Sequence, residues 1–517
     1  MRNRLWLILV LATVAFVVVA RSFLVVHSLK HPDEYIPAVI VPELSSRGWD
    51  TNWDLYPLPS VFKYPQYNFA SYLYLCGVWS RLTSAADEAL LRDVQVRLRR
   101  LNIVLLAGLL LLAAWFARKS FGPAFSSLWI ALLVWDPLLL MDATFARPEL
   151  WMTLLTVGTI ALSLWPHVRG ARQRYVLLLV ASFLVGLAAA CKFTMVLAMW
   201  TPLFVLIWHR QEVSRQKLVF GLGGLILVAT FGFLAGVPYA IPHWREYLHG
   251  VWFLRHQYSA FHVPHAHLNG GRTWDLMFGY GVGVYGYVYC LCAVLGAVYA
   301  VRCCRLLAGA TLPLILGFFV LFGSQTSFFE RNLSPIQPLI ALYCCLGILF
   351  CARLVRERCT AVWIRRGVVA GILAAVLLPS LSTASVIVFR GILGDEEKEK
   401  ERFLDSVRAA NPEYDEIETR VVMARHVHST AMMLAARTEP AIVVLPDYAD
   451  PFTEKYAGDL VVLLRGTLVQ IGSHEGWFHH YPRSTLQVYF GSSCRVYRFT
   501  PETSTGDATA PPAGRSD

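Results

Sequence analysis

Long apolar stretches alternate with short basic ones over the first three quarters of the chain. The apolar runs lie near 5–26, 101–117, 123–141, 150–166, 175–191, 193–208, 218–238, 279–301, 306–323, 334–352 and 367–389. Most approach the roughly 20 residues that a helix needs to cross a bilayer, so the pattern predicts about eleven transmembrane helices. The first run follows Met1-Arg-Asn-Arg4. That start resembles a signal peptide, but the apolar stretch is too long and no small-residue cleavage site follows, so it reads as a retained anchor. One further stretch, 67–80, is apolar and aromatic but short for a span. Together with the charged residues up to 100 it is expected to form helices lying in the membrane interface.

Beyond about residue 390 the pattern changes. The charged run 395–402 reads as the start of a solvated helix. β-like runs at 420–424, 441–445, 460–464 and 487–489, with a helix-like stretch at 428–437, predict a small α/β domain. The tail is rich in Ser, Thr, Pro, Ala and Gly and reads as disordered. The expected organisation is a transmembrane domain over 1–390, an α/β domain over 391–500 and a tail over 501–517.

Composition agrees. Of the 517 residues 56% are apolar and only 16% charged, where a soluble domain carries about 25% charged. This excludes a soluble enzyme, a disordered scaffold and a secreted disulfide module. The net charge of +11 suggests nucleic acid at first sight. The distribution argues against such a partner. With the N-terminus in the cytoplasm, the cytoplasmic loops hold seventeen Lys and Arg residues and two acidic ones, Glu212 and Glu357. That is the positive-inside bias of a membrane protein, and an odd number of spans then places the C-terminus outside. The eleven cysteines form no CxxC pair and no zinc spacing.

Three segments on the outer side, about 27–100, 239–278 and everything after 390, are too long to be plain connectors. A transporter or flippase would show internal repeats and charged residues at mid-span. Neither is evident, and chemistry at the outer face fits better.

The candidate chemistry starts at His31-Pro32-Asp33-Glu34-Tyr35, directly after the first span. Adjacent carboxylates near low dielectric are costly unless they bind or react. Either one with a raised pKa can act as a general base. An ordinary polar loop would read the same on position alone. The loop continues through Trp49-Asp50-Thr-Asn-Trp-Asp54 to Phe62-Lys63-Tyr64-Pro65.

An acidic pair after span one, followed by an aromatic loop with Lys-aromatic-Pro, resembles the GT-C glycosyltransferases. The similarity is to the protein O-mannosyltransferase and aminoarabinose-transferase group. The string His31-Pro-Asp-Glu34 also resembles mannosyltransferases that build lipid-linked glycans. Three later segments look like the same group: Phe145-Ala-Arg147-Pro-Glu149, Ala190-Cys-Lys192-Phe-Thr194, and Glu330-Arg331 leading to Pro335 and Pro338. The resemblance covers about residues 1–390.

The resemblance implies a polyprenyl-phosphate sugar donor used at the outer or lumenal face. A glycan, lipid or protein would be the acceptor, and the configuration would invert. Asp33 would be the base, with Glu34 orienting or sharing that role. The donor phosphate needs cations, and Lys63, Arg147, Lys192 and Arg331 fall at the outer ends of spans. Each could equally be a snorkelling helix anchor, the role expected of Arg21. Tyr35, Tyr64 and Glu149 are candidate substrate-binding residues. No cofactor is expected to be required, although a divalent cation is possible. The histidines of the second outer segment, His262-x-x-His265-x-His267 among them, lack a completing Cys or acidic ligand. That segment, with Trp244, Trp252, Phe253 and Tyr258, reads as an interfacial lid. The rival enzyme reading is an oligosaccharide ligase or polymerase. A bacterial plasma membrane is favoured over the endoplasmic reticulum because no retention signal ends the chain.

Overall fold

The computed structural model describes residues 2–27, 34–58, 65–83, 91–165, 170–212, 214–260, 272–325, 329–392, 396–418, 439–446, 466–474 and 494–501. Two compact units divide them, one up to residue 392 and the other from 396 onward.

The first unit is helical. Its helices are α1 (Arg2–His27), α2 (Tyr35–Glu43), α3 (Ala70–Thr83), α4 (Leu91–Phe121), α5 (Pro123–Val134), α6 (Pro137–Thr144), α7 (Glu149–Ser163) and α8 (Ala171–Cys191). They continue as α9 (Trp200–Trp208), α10 (Arg215–Gly236), α11 (Trp244–Ala260), α12 (Arg272–Tyr285), α13 (Tyr287–Cys303), α14 (Arg305–Gly323), α15 (Gln337–Arg358) and α16 (Val362–Val386). Among the described residues seven helices are long and apolar enough to cross a membrane, nine if each of two bent pairs is one span. Glu149–Ser163 and Phe193–Trp208 are shorter apolar helices. Together these occupy the eleven predicted positions. Large apolar side chains face outward, among them Phe220, Tyr287 and Trp363, each more than 75% exposed. An apolar surface of this extent belongs in lipid, and the chain is a multi-pass membrane protein.

Small residues let the helices approach closely. A Cβ on Gly186 of α8 would collide with the Ala229 carbonyl of α10, and one on Gly232 with the Phe183 carbonyl. Gly296 and Gly347 do the same for α13 and α15.

Two predicted spans are broken. α5 and α6 meet at 60°. Asp136 caps α6 by accepting from the Leu138 and Leu139 amides, both at 3.0 Å, and Pro137 opens the helix. α12 and α13 meet at 108°. Gly286 turns the chain there with φ +83°, and the Pro379 ring leaves no room for a Cβ.

The structure corrects three expectations. Residues 91–100 are not a separate interfacial helix but the first turns of α4. Two of the charged residues are buried there, Arg97, which donates to Ser80 at 2.9 Å, and Arg99, held as described below, while Arg92, Asp93 and Arg100 are exposed. A buried carboxylate does sit inside a predicted span. Asp136 accepts from Gln337 Nε2 at 2.6 Å and from the Tyr285 hydroxyl at 3.2 Å. Arg21 does not snorkel. It is buried and donates to the Val134 carbonyl at 3.3 Å, one of those released by the bend after α5. The 67–80 stretch forms α3 with 14 residues, about 21 Å long and too short for a hydrocarbon core of about 30 Å.

The second unit contains α17 (Glu396–Ala410), as the charged run predicted, and the strands β1 (Asp415–Glu418), β2 (Ala441–Pro446), β3 (Gly466–His474) and β4 (Cys494–Pro501). The sheet order is β1-β2-β4-β3, with β1 parallel to β2 and the other pairs antiparallel. Leu404 of α17 packs on Ile442, Val444, Cys494 and Val496. The 441–445 run is β2. The runs at 420–424, 460–464 and 487–489 and the stretch 428–437 lie outside the described residues. β1, β3 and β4 were not predicted.

Candidate functional site

The site is built where the chain leaves α1, enters α2 and turns from α6 into α7. Glu34 stands just before α2 and is fully buried. Its carboxylate does not cap that helix; it turns to Arg99 of α4 instead. Arg99 Nε and Nη2 donate to its two oxygens at 2.7 and 2.6 Å, and the Ala146 amide donates at 2.6 Å. Arg99 Nη1 donates to the Val25 carbonyl at 2.9 Å. One guanidinium therefore ties the end of α1, the start of α2 and the α6–α7 turn together, with the forked geometry that lysine lacks. Three positions on, the buried Asn102 amide nitrogen reaches the carbonyls of Asp142, Phe145 and Arg147 at 3.0, 2.6 and 2.9 Å. Tyr72 donates to its oxygen at 3.1 Å. Asn102 fixes the turn that carries Arg147.

Beside this clasp lies a second cluster. Arg147 is 1% exposed. It donates to Asp142 at 2.6 Å and stands 3.8 Å from Glu149, itself buried. Arg331, in the helical turn Glu330–Ile336 before α15, lies 4.0 Å from the other Glu149 oxygen with 11% of its side chain exposed. Lys192, which follows the last residue of α8, donates to Asn332 and lies 5.7 Å from the centre of the Phe322 ring. The structure thus brings Arg147, Glu149, Lys192 and Arg331 together from three separate segments. Lys192 and Arg331 keep exposed surface; Arg147 is sealed behind Glu149.

The aromatic loop is tethered to the same place. The Phe69 amide donates to the Cys191 carbonyl at 2.8 Å, next to Lys192, from a left-handed backbone with φ +67°. The Trp53 amide donates to the Gln66 carbonyl at 3.0 Å, and the Gln66 amide to Asn52 Oδ1 at 3.1 Å. These bonds join the segments on either side of 59–64. Asn52 also donates to Glu246 of α11 at 3.0 Å, and Tyr247 of α11 packs on Tyr67 at 6.3 Å. Asp50, in the loop beneath, has its carboxyl raised above the usual carboxylate range by burial, offset in part by the Asn52 amide. Tyr35 is half-buried against the helical core.

Asp33, Lys63, Tyr64 and the histidines 262, 265 and 267 lie outside the described residues. Among the described residues no three His, Cys, Asp or Glu side chains converge as a metal site would need. Sequence reasoning missed Arg99, Asn102, Asp142 and Asn332. The charge of Asp142, close behind a run of apolar residues, was the one visible signal.

No family model matches the chain, and no curated protein sequence matches it. Solved structures do. ArnT from Cupriavidus metallidurans in the apo state gives a TM-score of 0.54 at 12% identity, over 96% of this chain and 98% of that one. The same protein bound to undecaprenyl phosphate gives 0.54 at 12% identity over 95% and 98%. The chain shares the fold of this ArnT. An archaeal oligosaccharyltransferase, AglB from Archaeoglobus fulgidus, gives 0.44 at 14% identity over 77% of this chain and 58% of that one. Within this fold, the clasp and the cation cluster both sit at the end of the bundle where α1 ends, α7 begins and α8 ends.

Proposed function

We propose that this protein is an integral membrane glycosyltransferase. It moves a sugar from a polyprenyl-phosphate-linked donor to an acceptor hydroxyl. The observation that carries this reading is the meeting of two cations at one end of a GT-C bundle: Lys192, bonded to Asn332, and Arg331, the neighbour of Asn332, 4.0 Å from Glu149. The ArnT structure of this fold holds undecaprenyl phosphate, and a lipid phosphate needs partly exposed cations at a membrane face.

The roles follow from the reaction. The acceptor oxygen attacks the anomeric carbon while the bond from that carbon to the phosphate oxygen breaks. Asp33 takes the hydroxyl proton as general base. Lys192 and Arg331, with Lys63, stabilise the charge that develops on the leaving polyprenyl phosphate. Arg147 holds Glu149 between itself and Arg331. Glu34, locked on Arg99, is a positioning residue that fixes the chain on which Asp33 sits. Tyr35 and Tyr64 border the substrate. A single displacement with no sugar bound to the enzyme inverts the configuration. The reaction takes place on the extracytoplasmic face, with the N-terminus cytoplasmic, the C-terminal domain outside, and a bacterial plasma membrane as the setting. The acceptor is a glycan, a lipid or a protein. Asp136, which a transporter would use, has both oxygens committed to hydrogen bonds, and that favours transfer over transport.

The test uses the full chain in proteoliposomes with a radiolabelled polyprenyl-phosphate sugar and a membrane extract as acceptor source. Label should leave the lipid and polyprenyl phosphate should accumulate. Movement of intact donor across the bilayer without cleavage would contradict the reading.

A further inference from the structure

The other end of α8 carries a different chemistry. The helix runs 21 residues from Ala171 to Cys191, about 31 Å, close to the thickness of a hydrocarbon core. Lys192 follows its last residue. Its first turns therefore stand at the opposite membrane face. There a cavity of about 530 Å³ opens among α8, α9 and α10, within the size range of small-molecule sites.

Its lining joins two chemistries. Arg172, Arg174, His209 and Lys217 supply positive charge, and among the described residues no acidic side chain lines it. Leu178 and Leu206, both buried, form an apolar floor. Tyr175 lies across the glycine face of α10, where a Cβ on Gly224 would meet its hydroxyl. Phe220, also in the lining, is 78% exposed, so the apolar lining continues onto the outer surface of the bundle. Ser214 accepts from the Lys217 amide at 3.4 Å and caps α10, whose N-terminus borders the cavity. Topology signals need only basic residues in a loop. They need neither a cavity nor an apolar floor beneath the charges.

We propose that this cavity binds the phosphate headgroup of an anionic membrane lipid, in the leaflet opposite the Lys192–Arg331 site. Arginine forks and the lysine charge take the phosphate oxygens, and an acyl chain leaves past Leu206 and Phe220. Basic pockets between transmembrane helices are suited to such headgroups. Free phosphate would satisfy the cations and leave the apolar floor unused.

The test is native mass spectrometry of the full chain released from nanodiscs of phosphatidylglycerol or of phosphatidylcholine. The double variant Arg172→Gln/Lys217→Gln changes two exposed side chains, so folding is not at risk. Arg353→Gln/Arg356→Gln removes the same charge from α15, at residues that do not line the cavity. Wild type and the α15 variant should retain phosphatidylglycerol. The cavity variant should retain about tenfold less or lower, the loss expected for one charge-assisted hydrogen bond. Inorganic phosphate in excess should not displace the lipid. Equal loss in both variants would reduce the site to surface charge, and unchanged retention in the cavity variant would remove it. Displacement by inorganic phosphate would replace the lipid with a simple anion. The readout does not depend on sugar transfer, so its failure leaves the proposed enzymatic activity untouched.

Discussion

Glu34 and Arg99 lie 65 residues apart and form a bidentate ion pair at 2.7 and 2.6 Å with both side chains almost fully buried. Breaking a buried pair from one side leaves an uncompensated charge, at a cost of about 3–5 kcal/mol. Glu34→Ala and Arg99→Ala should each lower the melting temperature of the detergent-solubilised protein and reduce transfer. The double variant should be less destabilised than the sum of the two, because neither charge is then stranded. Additive effects, or an unchanged melting curve in either single variant, would show that the pair does not hold the turn.

The cations divide by exposure. Lys192→Ala and Arg331→Ala should each weaken undecaprenyl phosphate binding by about tenfold to a hundredfold, the range for one charge-assisted hydrogen bond. Microscale thermophoresis in detergent reads this directly. Arg147→Ala should instead destabilise the fold, since it strands the buried Asp142. EDTA should leave transfer unchanged if side chains supply all the charge opposite the phosphate. Loss of transfer with EDTA, restored by a divalent ion, would bring a metal into the site.

Much of this arrangement can be read in the sequence, and the exceptions have physical causes. The apolar runs mark where helices form because lipid leaves the backbone no other option. The bend at Asp136-Pro137 carried an N-cap residue and an N1 proline, a start signal hidden inside an apolar stretch. The bend at Gly286 rests on a positive φ that only the tertiary setting imposes. Lys192, Arg331, Arg147 and Glu149 could be named from their positions at span ends. Their sorting into exposed and sealed could not, since burial of Arg147 depends on Asp142 and Phe145. Arg99 was missed because a run of charges before a span looks solvated, whereas its partner waits 65 residues upstream.

The charge bias predicts topology. A reporter fused after Asp395 should be extracytoplasmic, and one near Arg356 cytoplasmic. Alkaline phosphatase and fluorescent-protein fusions read the two sides. A cytoplasmic signal at Asp395 would reverse the bias and move the Lys192–Arg331 cluster to the other face.

The C-terminal unit has its own sheet and its own apolar cluster around Leu404, Ile442 and Val496. Residues 395–500 expressed alone should unfold in one cooperative thermal transition. A truncation ending near Arg390 should keep undecaprenyl phosphate binding, with acceptor choice altered. A folded truncation that no longer binds the lipid phosphate would contradict this division.

The most direct measurement is transfer by Asp33→Asn in the proteoliposome assay. The substitution keeps the shape of the side chain and removes the base. Loss of a general base costs about 10²–10⁴-fold, roughly 3–5 kcal/mol of barrier. Transfer should fall by that factor while expression and undecaprenyl phosphate binding persist. Retention of more than about a tenth of wild-type turnover, above even the smallest general-base effect, would contradict the assignment of Asp33 and with it the proposed mechanism.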